Sequence, residues 1–155
     1  MRIERVVNEL VDTCITDSLD LNIPHLSYMF STHILYNHNT NFYFNKQGVD
    51  IIAIKIGDPF EMWHAFCHEA GHMFLHCTNQ KVMPRDFNLK QEAEAEKFAL
   101  LLMMPEKLIM RHRLYEAQDV VNYFNVPINL AMQRIEMLIE RSEEHTSELQ
   151  SPLDI

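Results

Sequence analysis

The chain has few of the residues that mark several whole classes of protein. Its 155 residues include three glycines, six prolines and three cysteines, which excludes collagen-like, low-complexity and disulfide-framework proteins. No apolar run approaches the roughly 20 residues of a membrane span, and the N-terminal segment has no hydrophobic signal core. Three is an odd and small number of thiols and fits a reducing compartment, so we expect a cytoplasmic protein without a membrane partner.

Basic residues are also few. Lysine and arginine together number 13 against 22 acidic residues, which gives a formal net charge of −9. Neutralising phosphates requires a basic face, so no direct contact with nucleic acid is expected. The segment from Val120 to Ile135 has the helix-turn-helix pattern of DNA-binding modules. Because it carries one arginine and no basic face, it is predicted to pack as ordinary helices.

The arrangement of apolar residues predicts an α+β fold, with a small antiparallel sheet packed against helices. Residues 2–17 have the spacing of an amphipathic helix. Residues 24–56 contain short runs rich in Ile, Phe, Tyr and Val, which are typical of strands: Leu26 to Phe30, Ile34 to Tyr36, Phe42 to Phe44 and Val49 to Ile56. The connections are short, whereas parallel strands need a crossover of a dozen or more residues. Val49 to Ile56 could be an edge strand or an interior one.

The sequence after Asp58 predicts a series of helices. Asp58 is a predicted N-cap for a helix from Pro59 to about Cys77. A second helix, with a possible cap at Asn88, has to stop by Met104 because Pro105 follows. Two shorter helices and a last one are predicted at 105–113, 116–124 and 127–140.

The first of these helices carries a pattern with a known chemical use. His68-Glu69-Ala70-Gly71-His72 puts two imidazoles four residues apart, on one face of the helix. Two such side chains can bind one Zn²⁺, and Glu69 projects beside them as a candidate general base. The pattern predicts a zinc hydrolase. Gly71 costs about 1 kcal/mol relative to alanine inside a helix, so we expect it to permit a close approach near the metal.

A catalytic zinc needs a third protein ligand, and the next helix offers three acidic candidates. Glu94 falls on the same side of this helix as its large apolar residues, Phe98, Leu101 and Leu102. Glu96 points nearly opposite and Glu92 lies on a flank of small residues, so a solvated face is expected for Glu96 and is an open alternative for Glu92. Glu94 is the best candidate, and an acidic ligand on a following helix makes the site gluzincin-like.

Other histidines and cysteines lie near the motif. His64 and His76 continue the stripe at four-residue spacing, and they are expected to support the site or to lie at the surface. Cys67 and Cys77 are interpreted as small buried apolar residues. A second group that stabilises the oxyanion is usual in such sites, but the sequence offers only guesses, His112 and Tyr115.

Two segments resemble the motifs of the ImmA/IrrE family of metallopeptidases. FCHEAGHMFLH is similar to H-E-x-G-H-x-x-x-H, and QEAEAEKFALLLMMPEKL is similar to E-A-N-x-F-A-x-x-L-L-M-P. The resemblance covers roughly Tyr43 to Leu108. It implies that His68 and His72 bind zinc, that Glu69 is the general base and that Glu94 is the third ligand. The family's usual Asn is Glu96 here, so no role for that position carries over.

The resemblance also implies a function. The flanking segments look like the phage and conjugative-element branch, whose members are cytosolic proteases that cleave a helix-turn-helix repressor. We therefore expect a zinc-dependent endopeptidase that acts as an anti-repressor on a prophage or integrative element. The alternative is a non-catalytic regulator, which binds zinc only structurally and docks a transcriptional regulator. A closed structural site would recruit His76, Cys67 or Cys77 in place of water.

The last residues need separate treatment. Residues 141–151, RSEEHTSELQS, are similar residue for residue to the translation of a sequencing-library adapter. We therefore predict one metallopeptidase domain over residues 1–140 and an artefactual tail over residues 141–155.

Overall fold

The chain folds into helices and one small sheet, which confirms the predicted α+β class. The computed structural model describes the backbone of residues 2–76 and 85–150. In chain order the elements are α1 (Arg2–Cys14), a 3-10 turn (Ser18–Asp20), α2 (Ile23–Met29), β1 (Thr32–Asn37), β2 (Phe42–Lys46), β3 (Val49–Lys55), α3 (Pro59–Leu75), α4 (Arg85–Met103), α5 (Glu106–His112), α6 (Ala117–Phe124) and α7 (Ile128–Gln150).

The sheet is mixed, where the sequence predicted an antiparallel one. Strands β2 and β3 pair antiparallel through a tight turn, in which Gln47 and Gly48 both have positive φ, 53° and 83°. Such turns match the twist of the strands they join. Strand β1 pairs with the other edge of β3 and runs parallel to it. The prediction is wrong for this pair because β2 itself carries the chain back, so no separate crossover is needed.

Strand β3 lies in the centre of the sheet, with β1 and β2 on its two sides. Ile52 and Ile54 on this strand are completely buried. Of the two positions left open for Val49 to Ile56, the interior one is therefore correct. An extended partner cannot add to this strand, because both of its edges are already paired.

The segment Leu26 to Phe30, predicted as extended, forms most of α2 instead. The Asn22 side chain accepts a hydrogen bond from the backbone N–H of His25 at 2.8 Å, and Pro24 occupies the first turn. An Asn cap followed by proline is a helix start, and this local signal outweighs the apolar run that suggested a strand.

The other helices follow the sequence prediction, with changes at their ends. Helix α1 buries Ile3, Val7, Val11 and Cys14 on one face, as its spacing requires. Helix α4 already begins at Arg85, ahead of the cap suggested at Asn88. The predicted end of α3 at Cys77 lies outside the described residues.

Helix α7 runs to Gln150 and so continues past its predicted end at Glu140. The proposal that residues 141–155 lie outside the domain stays a prediction. The chain divides into two compact units, Met1–Leu108 and Ile109–Ile155. The first contains the sheet and the histidine motif, and the second contains α6 and α7. Among the described residues, no helix combines the length and the apolar character that crossing a membrane requires.

Candidate metal centre

Helix α3 holds the two histidines of the motif, and capping fixes where this helix begins. The Asp58 carboxylate accepts hydrogen bonds from the backbone N–H groups of Phe60 and Glu61, at 3.0 and 3.3 Å. His68 and His72 lie one turn apart, with ring centroids separated by 5.1 Å. His72 is buried and His68 is half-buried, so the helix holds two imidazoles at the edge of the core.

A carboxylate from α4 completes a group of three side chains. Oε2 of Glu92 lies 2.7 Å from Nε2 of His68 and 3.1 Å from Nε2 of His72. One ligand atom from each of these residues lies within 4.8 Å of the other two. Two imidazole nitrogens and one carboxylate oxygen form a donor set found in catalytic zinc sites. The three residues therefore fit a metal ion.

The structure corrects the choice of acidic residue in this group, since it places Glu92, and not Glu94, beside the histidine pair. Ala95 of α4 packs directly against Gly71 of α3. At 100° per residue, Glu92 lies about 60° and Glu94 about 100° from Ala95, on opposite sides of the contact line. The sequence argument took the bulky residues of α4 as the face toward the metal, but small residues form that contact.

Gly71 permits this contact. A Cβ atom at Gly71 would lie 3.0 Å from both Cα and O of Ala95 and 3.1 Å from Cβ of Phe98. Two of these three atoms belong to the backbone and cannot rotate away. The close approach expected from the sequence is therefore present, and it brings α4 near enough for Glu92 to reach the histidines of α3.

Replacing Gly71 by valine is expected to lower the free energy of unfolding by about 1–3 kcal/mol, the usual cost of adding atoms to a packed interior. Thermal or urea unfolding of the metal-free protein measures the effect. Gly57→Val is the matched control, because a Cβ there would meet only the Glu61 side chain, at 3.6 Å. Equal stabilities of the two variants would show that α4 can move away from α3 at little cost.

Glu96 does not lie on a solvated face as the sequence predicted. Its carboxylate contacts Nε2 of His64 at 2.9 and 3.0 Å and Nδ1 of His68 at 3.0 Å. Glu92 and Glu96 are one helical turn apart on α4, so both reach the same side of α3. The prediction failed because it assumed that the side of α4 with the bulky apolar residues faces the histidines.

Glu94 contacts a different histidine. Its Oε1 lies 2.9 Å from Nε2 of His76, and Nδ1 of His76 lies 3.2 Å from Nδ1 of His72. His76 is buried. Three acidic residues at alternate positions of α4 therefore contact histidines at four-residue spacing along and at the end of α3. Glu92 and Glu96 share His68, whereas Glu94 contacts only His76 among them.

These contacts shift the protonation equilibria at the site. Burial lowers the pKa of His72. Burial also opposes the charged form of His68, but hydrogen bonds to Glu96 and Glu92 outweigh it and raise the pKa of His68 to about 9. Burial likewise opposes the charged form of Glu96, and hydrogen bonds from His64 and His68 lower the pKa of Glu96 to about 2. The carboxylates therefore stabilise positive charge here, as a divalent cation requires.

Glu69 lies next to this group without joining it. Its side chain is buried, and burial raises the pKa of Glu69 to about 7 although His68 opposes this shift. The carboxylate accepts a hydrogen bond from the backbone N–H of Tyr43 at the start of β2. A cleft of about 440 Å³ is open beside it, lined among others by Asn41, His64 and His68. A carboxylate so placed can exchange a proton with a molecule in the cleft.

The contribution of β2 could not be read from the sequence. Tyr43 positions Glu69 through its main chain, and a backbone group leaves no signature in residue type. Cys67 is completely buried, as expected, and burial raises the pKa of its thiol well above the usual value. Cys77 lies outside the described residues, and the guesses of His112 and Tyr115 as oxyanion donors stay predictions.

Comparison with protein families agrees with this arrangement. A family model described as the IrrE N-terminal-like domain (Peptidase_M78) matches residues 32–136, which is more than half of the chain. The matched range contains every residue of the site described above. No curated protein and no solved structure matches the chain. The family inferred from the two motifs is thereby confirmed, together with its metallopeptidase-like role.

Proposed function

The chain belongs to the ImmA/IrrE family of metallopeptidases, and on that premise we propose that it is a zinc-dependent endopeptidase. His68, His72 and Glu92 would hold the zinc ion, and Glu69 would act as the general base. The observation that carries this proposal is the contact of one Glu92 oxygen with Nε2 of both histidines. His68 also lines the cleft beside Glu69, so a substrate in the cleft would lie next to one of the three proposed ligands.

The chemistry follows from the positions of these groups. Zinc, when bound, supplies a Lewis acid that polarises the scissile carbonyl and makes water a stronger acid. Glu69 accepts the proton of the attacking water and returns it to the leaving amine, so the carboxylate serves as base and then as acid. The Tyr43 N–H holds this carboxylate at the edge of the cleft, where it reaches the water without binding the metal.

The composition of the group favours catalysis over a purely structural role. A closed structural site would contain a fourth protein ligand, for which the sequence offered His76, Cys67 and Cys77. In the part of the chain that the structure describes, the candidate ligand group consists of His68, His72 and Glu92. Both ring nitrogens of His76 are already in contact with other side chains, Nδ1 with Nδ1 of His72 and Nε2 with Glu94, and His76 is not a member of this group.

The position of the cleft beside the sheet supports the proposal that the substrate is an extended peptide. Strand β2 is an outer strand of the sheet, and Asn41, immediately before it, lines the cleft together with His68 and Glu69. An extended peptide could lie along this strand, with main-chain hydrogen bonds contributing affinity. Scission is therefore expected in a flexible or locally unfolded part of the partner, because a packed helix cannot present its backbone in this way.

By family resemblance, the proposed substrate is a helix-turn-helix repressor of a prophage or integrative element, and the protein would act in the cytoplasm as an anti-repressor. The test is to incubate the zinc-loaded protein with the repressor encoded beside it and to map the fragments by mass spectrometry. A single cut in a non-helical segment, lost when zinc is chelated, is the expected result.

Two controls make this experiment decisive. The Glu69→Gln variant, loaded with the same amount of zinc, should leave the repressor intact. An unrelated protein with flexible segments tests selectivity. An intact repressor under conditions where the unrelated protein is cut would refute the substrate, and failure to cut any protein would refute the enzymatic function.

A further inference from the structure

His68 and His72 each have a contact at Nδ1, the ring nitrogen that does not face Glu92. Nδ1 of His68 contacts Glu96, and Nδ1 of His72 contacts His76, which in turn contacts Glu94. We propose that Glu96, acting directly, and Glu94, acting through His76, fix the tautomers of His68 and His72 so that both present an unprotonated Nε2 to the metal. This inference rests on the proposed zinc site and adds positioning residues to it.

The contacts form two series of hydrogen bonds, which we call branches. The first branch joins Glu96 to His68. An ionised carboxylate can only accept hydrogen bonds. Its contact with Nδ1 of His68 at 3.0 Å therefore requires the proton to be on Nδ1. By the same rule, Nε2 donates to Glu92 at 2.7 Å in the absence of zinc. Because Nδ1 keeps its proton for Glu96, Nε2 is the nitrogen that would give up its proton and present a lone pair when zinc binds. His64 donates to the same carboxylate at 2.9 Å and so restrains its rotation.

The second branch has one more member. Glu94 accepts a hydrogen bond at 2.9 Å from Nε2 of His76, so in neutral His76 the other nitrogen, Nδ1, is an acceptor. The Nδ1 atoms of His76 and His72 are 3.2 Å apart, and His72 has to be the donor. The remaining nitrogen of His72, Nε2, lies 3.1 Å from Glu92 and is therefore the one that would present a lone pair when zinc binds.

The two branches account for the four-residue spacing of the histidines and the two-residue spacing of the acidic residues on α4. His64 and His76 lie one turn before and one turn after the metal-facing pair, and each contacts an acidic residue of α4. Ligand histidines commonly donate their second N–H to such a partner, which orients the ring and raises its basicity. The acidic residues on α4 thus divide into one ligand, Glu92, and two that orient the ligands on α3.

Pairs of substitutions at one position distinguish the loss of a hydrogen-bond acceptor from the loss of a charge. Glu96→Leu removes the acceptor for His68, whereas Glu96→Gln loses the same charge but keeps an amide oxygen that can accept the Nδ1 proton. His76→Leu and His76→Gln form the equivalent pair for His72, because glutamine can accept from His72 and donate to Glu94. We expect the zinc dissociation constant to rise by about 10–100-fold in the leucine variants and by much less in the glutamine variants.

The zinc dissociation constant is measured by competition with a chelator, which requires no substrate. Long-range ¹⁵N NMR of the zinc-loaded wild-type protein supplies an independent measurement, because it identifies the protonated nitrogen of each ring even where a variant fails to fold. Protons on Nδ1 of both His68 and His72 are expected. Coordination through Nδ1, or equal zinc affinity in the leucine and glutamine variants, would overturn the inference and leave the zinc site standing. A wild-type protein that binds no zinc would overturn both.

Discussion

Replacing Glu92 by alanine is expected to abolish stable zinc binding and, with it, peptidase activity. Glu92 contacts Nε2 of both His68 and His72, so its removal takes away the only contribution of α4 to the ligand group found in the described chain. Zinc content after dialysis and the zinc dissociation constant measure the effect. Circular dichroism of the metal-free variant establishes whether it is folded.

Glu94→Ala is the matched control, because it removes an identical side chain two residues along the same helix. This variant should retain zinc, with an affinity lower by about 10–100-fold, since Glu94 acts through His76 and does not face the metal. If Glu94→Ala lost zinc and Glu92→Ala kept it, the sequence-based choice would be right and the geometry of α4 described above would be wrong.

The second large effect is expected from Glu69→Gln. Glutamine keeps the shape of the side chain and can no longer accept the proton of water, so the cleavage rate should fall by about 10²–10⁴-fold. Zinc content and unfolding temperature should change little, because Glu69 lies outside the ligand group. The measurement is the rate of repressor cleavage at equal zinc loading.

Glu61→Gln is the control for Glu69→Gln, because Glu61 is an exposed residue that lines the same cleft. It should cleave at close to the wild-type rate, which would show that loss of negative charge in the cleft is not what matters. A Glu69→Gln protein that retained substantial activity would refute the general-base role.

Local spacing was enough to predict how the side chains in one half of the candidate site are arranged. His68, Glu69 and His72 lie within five consecutive residues of one capped helix, so their relative positions depend only on helical geometry and on Asp58 as a cap. The tight turn at Gln47 and Gly48 likewise depends on residues that are adjacent in sequence. In these cases the forces that decide the structure act between residues close in sequence.

The other half of the site depends on how two helices pack, which spacing within one helix cannot determine. Whether Glu92 or Glu94 meets the histidines is decided by the side of α4 that touches α3, and that side is set by the contact of Gly71 with Ala95. The expectation of antiparallel strands missed the parallel pairing of β1 with β3 for a similar reason, since β2 lies between these two strands in sequence. Not every error was of this kind, since the segment Leu26 to Phe30 was predicted as extended although the local cap at Asn22 starts a helix there.

The division of the proposed ligands between α3 and α4 would make a bound metal ion a cross-link as well as a cofactor. An ion bound to His68, His72 and Glu92 would join two helices that the unfolded chain leaves apart, so it would bind the folded state selectively. By mass action, zinc at about 100 times its dissociation constant would add about 2.7 kcal/mol to the free energy of unfolding. The lifetime of the folded protein would then depend on the zinc level around it, and zinc depletion would remove the protein as well as silence it.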